Sequence, residues 1–390
     1  MSANFYLSSH ANSHLHPRAA LLTARLDDLR HASDQELAWI EIWSAGAMQK
    51  ICKRLALRQS VLATAVTFFR RFYLRNPYCE SDVCLVAAAC VYVAAKAEET
   101  PVHVKSAANE ARTVFTDMGH PSFTADNHRL AEMEFYLLEE LDFHLIIYHP
   151  YRALVQLLGR EGGKKDDPPR RTLEMDDTAL QMAWFIINDT YRSSLLLIHP
   201  PHCIAVAAVY LAFALHPPAS CAASILPTTT PAGPPTNSPS KGIAGRTRRA
   251  SQDANADSSK HDKDKKTDVT AKDNDDAENP IAFLASLQID QTLVLEVVQE
   301  IISLYELWSL LEASPSPAAG ALNRAGMVNA PSPTSGAGAS AGGGGGGGTK
   351  QGPDERVLSI VKRMQDARIR ELREDRSRST QQGGHGRKTG

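Results

Sequence analysis

Thirteen residues in a row, Val83 to Ala95 (VCLVAAACVYVAA), carry scarcely a polar side chain. A helix made from them has no face fit for water, so other helices have to enclose it. The run is too short to cross a membrane, which takes about 20 apolar residues. Asp82 stands where an N-cap or first-turn carboxylate belongs. Downstream, "TPV" at 100–102 closes the segment, because proline disfavours helix in the residue before it. The pattern then returns. Val86–Ala94, VAAACVYVA, lies over Ile204–Ala212, IAVAAVYLA. In both places a long amphipathic helix precedes and another follows later. The economical reading is one helical module used twice, each copy built around its own buried central helix. Alanines on that helix let neighbouring backbones come close.

The remaining apolar stretches also read as helix. In QSVLATAVTFFRRFYLR, Val61, Ala65, Phe68, Phe69, Phe72 and Tyr73 share one broad arc, with Arg70 and Leu74 directed away from its centre. Helices are predicted over 102–115 and 127–143, and Pro150 is placed to open another at its first position. Alternating strand patterns are scarce and no glycine-rich phosphate loop is present, which excludes a doubly wound α/β fold. The apolar regions are separated by polar ones. Residues 159–171 form a short break, and 219–279 form a long segment containing SSKHDKDKKTDVTAKDNDD. From Ser314 onward the composition is of low complexity, with seven consecutive glycines at 342–348 and a charged piece with helical character at 353–375. Segments this poor in apolar residues are expected to be disordered.

Charge and motifs exclude several functions. The formal net charge is −2 and the pI about 6.7, which gives no support for a nucleic-acid surface. The six cysteines form no CxxC pair, so neither a zinc site nor a disulfide framework is expected, and a reducing compartment fits. There is no charged start followed by an apolar stretch, so no signal peptide is expected. HExxH, GxSxG and a dinucleotide fingerprint are all missing. No catalytic residue, metal or cofactor is therefore expected.

Two side chains break the patterning. Lys96 follows the apolar helix directly. A cation there can simply serve the helix dipole. Its counterpart in the second module, however, is Ala214, so the fold does not require a lysine. Glu134 lies among Leu130, Met133, Leu137, Leu138 and Leu141 on one face of its helix, whereas Glu132 and Glu139 point to the other side. A carboxylate on an apolar face is costly unless paired, and Lys96 is the candidate partner. The alternatives are a groove rim where both meet another protein, or a glutamate that merely reaches solvent at the helix edge.

Several stretches together resemble the cyclin family, and within it the cyclin C subfamily in a fungal form. They are NFYLSSH at 4–10, RQSVLATAVTFFRRFYLRN at 58–76, VYVAAKAEET at 91–100 and EMEFYLLEELDFHLIIYHPYRAL at 132–154. The resemblance implies an all-α chain of two tandem five-helix cyclin boxes, with a disordered insert in the second box and a disordered C-terminal tail. It implies an N-terminal segment over 1–36, a kinase-binding first box over 37–148, a second box over 149–312 interrupted by 219–279, and a tail over 313–390. By motif position, Lys96 and Glu134 correspond to the family's kinase-contact pair. Glu98 and Glu99 correspond to an acidic pair facing arginines near the kinase activation segment. The implied role is that of a nuclear, non-catalytic subunit regulating RNA polymerase II transcription. Its partners would be the cyclin-dependent kinase of the Mediator kinase module and that module's other subunits, with neither nucleic acid nor membrane bound directly. A general transcription factor of the TFIIB type, which also carries two such repeats, and a kinase-independent scaffold are the alternatives. The first would be expected to show a zinc ribbon and a basic face.

The insert lends itself to a direct test. Replacing Pro227–Asp275 by a short Gly/Ser linker is expected to leave cooperative unfolding intact, with melting temperatures of the two forms agreeing within a few degrees, because loop-closure entropy grows only by about 0.6 kcal/mol per doubling of length.

Overall fold

The computed structural model describes residues 4–124, 126–159, 172–216, 280–313 and 352–385. Among these there is no strand. The first module consists of α2 (Asp34–Arg54), α3 (Gln59–Phe72), α4 (Val83–Ala97), α5 (Val104–Asp117) and α6 (Asn127–Glu140), preceded by a short α1 (Arg18–Ala24). The second consists of α7 (Pro150–Leu157), α8 (Asp177–Thr190), α9 (Pro201–Leu215), α10 (Pro280–Ser286) and α11 (Gln291–Glu312). The expected pair of five-helix boxes is therefore present. A further helix, α12 (Pro353–His385), follows. The chain divides into two compact units, residues 1–216 with 288–390, and residues 217–287. Of the second unit only α10 and the turn after it are described. The expectation of disorder over 219–279 lies outside the described residues.

The all-round apolar run is the hub of the first module. Every residue from Val83 to Ala95 on α4 is buried, and α2, α3, α5 and α6 all pack against it. Asp82 caps its start, accepting the Leu85 N–H at 3.1 Å. Full burial of one Val or Leu contributes about 1.5–3 kcal/mol before chain entropy is counted. The helix thus supplies much of the module's drive to fold. In the second module α9 repeats this, buried almost throughout from Pro201 to Phe213 and packed against α7, α8 and α11.

Arg70 points away from the aromatic arc of α3, as expected, and is buried. Its guanidinium donates to the Glu41 carbonyl at 2.7 Å and lies 3.6 Å from the Glu41 carboxylate. Neighbouring Arg71 is buried as well. It donates to the carbonyls of Leu141 and His144 just beyond α6, at 2.9 and 2.6 Å. Both arginines satisfy main-chain acceptors at places where water cannot.

The tail is not uniformly without structure. The charged piece expected to have helical character over 353–375 is helix from Pro353 to His385. Val357, Ile360, Val361 and Met364 are buried, and their spacing of three and four residues makes one stripe.

The N-terminal segment is threaded under the joint between the modules. His10 and His14 are buried completely. His10 Nδ1 accepts the Tyr148 N–H at 2.9 Å, and Phe5 meets Tyr148 edge-on at 5.6 Å between ring centroids. Neither nitrogen of His14 has a hydrogen-bond partner. Burial, reinforced by nearby Arg71, lowers the pKa of His10 to about 4 and of His14 to about 3; burial lowers that of His149 to about 3.

These folded-state values lie below the unfolded value of 6.5, so the unfolded chain binds more protons as pH falls. Stability is therefore complete above pH 6.5 and is lost as pH falls from there toward about 4 and 3. Melting temperature should be flat above neutrality and drop across that window. A His14→Leu chain should show a shallower drop; an unchanged slope would mean that His14 does not contribute.

Candidate functional site

Lys96 and Glu134 meet. Lys96 is at the last turn of α4, the first side chain after the enclosed run that reaches solvent. Glu134 projects from the middle of α6, and α6 lies alongside α4. The Lys96 ammonium donates to Glu134 Oε1 at 2.6 Å and sits 4.3 Å from the centroid of the Tyr92 ring, one turn back on α4. Partial burial pulls the ammonium pKa down. Hydrogen bonding to Glu134 and Tyr92 outweighs that, so it stands above the ordinary lysine value. The carboxylate is the less exposed partner, at 16% against 41% for the lysine side chain. A carboxylate on the rim of an apolar face is thus held in a charged pair that still faces outward. Glu132 and Glu139 are exposed on the opposite side, as the helical period requires.

Glu98 and Glu99 part company. Glu99 is exposed and has φ of +54°, the left-handed region. It is the residue just past the helix cap: the Thr100 N–H returns to the Ala95 carbonyl at 2.9 Å and the Glu99 N–H to the Lys96 carbonyl at 3.2 Å. This closure, rather than Pro101 alone, stops α4. Glu98 turns inward. Its carboxylate accepts the Thr64 hydroxyl at 2.6 Å; Thr64 Oγ1 lies 2.9 Å from His149 Nε2, and His149 Nδ1 lies 2.6 Å from the Tyr191 hydroxyl. Burial keeps His149 neutral. Since Thr64 spends its proton on Glu98, His149 donates from Nε2 and accepts from Tyr191 at Nδ1. The chain of donors therefore runs Tyr191, His149, Thr64, Glu98, from the second module into the first.

Sequence reasoning overlooked the exposed aromatics of α6. Phe135 and Tyr136, next to Glu134, are 72% and 66% exposed, and Phe143 beyond the helix end is 69% exposed. The signal was in the helical period. Both aromatics on α6 fall off the Leu130, Leu137, Leu141 stripe, onto the face that polar residues occupy elsewhere. Large aromatics exposed in this way are suited to contact with another macromolecule. Among the described residues the one cluster of potential ligands, His199, Glu296 and Glu300, lies elsewhere, and the Arg18 guanidinium already pairs with both glutamates.

Two modules of five helices, each closed around an apolar helix, form the arrangement of a cyclin. Residues 40–146 match the family described as cyclin, N-terminal domain. The RNA polymerase II holoenzyme cyclin-like subunit of Mycosarcoma maydis is 32% identical over 379 residues, covering 82% of this chain and 93% of that protein. Cyclin-C1-2 of Arabidopsis thaliana is 34% identical over 213 residues, 54% of this chain and 78% of the plant protein. A chain of the yeast TFIIK complex superimposes with a TM-score of 0.42 at 23% identity, over 53% of this chain and 85% of that one. The chain belongs to the cyclin family, in its cyclin C branch.

The two glutamates predict opposite stability effects. Glu99→Gly should raise unfolding free energy by about 1 kcal/mol, because glycine adopts the left-handed conformation without penalty. Glu98→Ala should lower it by about 1–3 kcal/mol, since the buried donor chain loses its acceptor. Urea denaturation of both variants checks this.

Proposed function

We propose that this chain is the regulatory subunit of the cyclin-dependent kinase of the Mediator kinase module, acting in the nucleus on RNA polymerase II transcription. The observation that carries the reading is the Lys96–Glu134 pair, held outward at 2.6 Å on a helix that also exposes Phe135 and Tyr136, in a chain of the cyclin C branch. The first box, over 37–148, engages the kinase. Lys96 offers its ammonium to carbonyls of the kinase's mobile helix, and Glu134 holds the lysine in place and accepts from backbone N–H groups. Phe135 and Tyr136 cover apolar surface of the partner. Glu99 contributes charge at the same edge, and Glu98 contributes by fixing the end of α4. The second box, over 149–312, leads to the other subunits of the module. The chain performs no chemistry. It stabilises the active position of a kinase element that otherwise samples several, which is how a binding subunit switches an enzyme on.

The reading separates binding from folding. Lys96→Ala should cost little stability, because the pair is half exposed and such pairs are worth about 0–1 kcal/mol. Each of Lys96→Ala and Glu134→Ala should weaken binding to the kinase by about 2 kcal/mol, roughly thirtyfold. The measurements are a melting curve of the free variant and a titration against the purified kinase. Unchanged affinity in both variants would return the pair to ordinary helix-end chemistry. Capture of promoter DNA instead of a kinase would point to the general-factor reading.

A further inference from the structure

The short helical turn His10–His14 divides its side chains. His10 and His14 are buried at the joint between the modules. Ser13, between them, is exposed, and its hydroxyl has no hydrogen-bond partner among the described residues. It opens instead onto a pocket of about 180 Å³, which it lines together with His16, Arg71, Arg75, Glu140 and Asp142. The N-terminal segment, α3 and the end of α6 thus meet in one cavity. The backbone N–H of His16 donates to the Leu197 carbonyl at 2.7 Å, which seats the segment, and the His16 ring is half-buried at the pocket wall.

The pocket favours negative charge. Arg71 is fixed there, buried and donating to the Leu141 and His144 carbonyls. Arg75 reaches the two oxygens of Asp142 at 3.1 and 2.5 Å, at the surface, with half of each side chain exposed. The titrating groups register the field. Hydrogen bonding to Arg75, helped by the charges of Arg75, His144 and Arg71, holds the Asp142 carboxyl below the usual carboxylate range. Burial and then the charges of Arg71 and Arg75 lower the pKa of His16, so its ring is neutral and donates one N–H. Glu140 and Asp142 oppose a further anion. The Asp142–Arg75 pair is open to water, however, and such pairs contribute little. Asp142 can turn to solvent and free the guanidinium fork for a phosphate, which a fork of that shape grips through two parallel hydrogen bonds.

We propose that Ser13 is a phosphorylation site and that this pocket receives its phosphate, fastening the N-terminal segment to the first module. A serine kinase transfers the γ-phosphoryl group of ATP to Ser13 Oγ. The Oγ–P bond forms, the bond from the γ-phosphorus to the bridging oxygen of ADP breaks, and the hydroxyl proton passes to the kinase's base. The segment is modified while unseated, since terminal segments open locally at little cost. On reseating, the phosphate gains Arg75, the His16 N–H and the charge of Arg71. The same segment packs Phe5 and His10 against Tyr148, so modification also tightens the joint between the modules. This device is independent of the contact at Lys96.

The test compares the full chain carrying phosphoserine at position 13, installed by amber suppression, with the unmodified chain. In phosphorus NMR the second ionisation of phosphoserine falls at about pH 6 when nothing perturbs it. In the folded chain it should fall about one unit lower, because the cations favour the dianion. Arg75→Gln should return it most of the way, and Asp142→Asn should lower it further; both residues are half exposed, so neither change threatens the fold. Amide exchange over residues 8–16 should slow by about threefold or more on modification, and Arg75→Gln should cancel the slowing. Mass spectrometry of the protein from the cells that make it should find phosphate on Ser13. Four results overturn the proposal. They are an ionisation left at about pH 6, a lowered ionisation that Arg75→Gln does not move, faster exchange, which would mean that the phosphate expels the segment, and native protein without phosphate on Ser13 under every growth condition sampled.

Discussion

A helix without a polar face has one physical requirement, complete enclosure, and α4 imposes it on everything around it. Four helices surround it, and only its two ends reach the surface. At the Val83 end the preceding turn receives α12; at the Lys96 end a lysine emerges exactly one step after the last enclosed alanine. The positions available for contact with other proteins are thus fixed by where enclosure stops. The second module obeys the same rule around α9, but its counterpart of Lys96 is Ala214, and no charge is presented there. Duplication of the packing solution did not duplicate the site.

Enclosure by apolar contacts alone would leave the two modules free to slide, since hydrophobic contact is not directional. Buried polar ties fix them. The donor chain from Tyr191 through His149 and Thr64 to Glu98 crosses the joint and ends on the residue that caps α4. A second tie runs through Glu41, which receives Arg70 from α3 and the Ser194 hydroxyl from the second module at 3.1 Å. Each group in these chains would be costly if left unpaired, so the relative placement of the modules is tightly specified. The end of α4 that carries Lys96 is held by the same interactions, and the site inherits their rigidity.

The two halves of the exposed pair come from different constraints. Lys96 is placed by the end of an enclosed helix and Glu134 by the period of an amphipathic one. The aromatics Phe135 and Tyr136 of the same helix stand exposed, while its packing is carried by Leu130, Leu137 and Leu141. Surface of that kind is kept soluble by the charges that interrupt it and becomes favourable only when covered.

The sequence by itself determined the helical class, the two modules and their central helices, because apolar periodicity and all-round apolarity are local properties that only burial can satisfy. It also singled out Lys96 and Glu134, since each violates the pattern of its own helix. Tertiary structure alone decided the rest. Glu98 and Glu99 are adjacent in sequence and equally acidic, yet one accepts a buried hydroxyl supplied by residue 64 and the other takes a left-handed turn into solvent; no local signal separates them. That Arg70 turns away from the aromatic arc is legible in the sequence, but not the Glu41 carbonyl that receives it. His10 and His14 read as polar residues of a terminal segment until the joint between the modules closes over them. Helix α12 shows its stripe in the sequence, but not the face of α2 that receives it. Patterning fixes what must be buried, whereas the partner that buries it comes from distant parts of the chain, and only the assembled packing brings the two together.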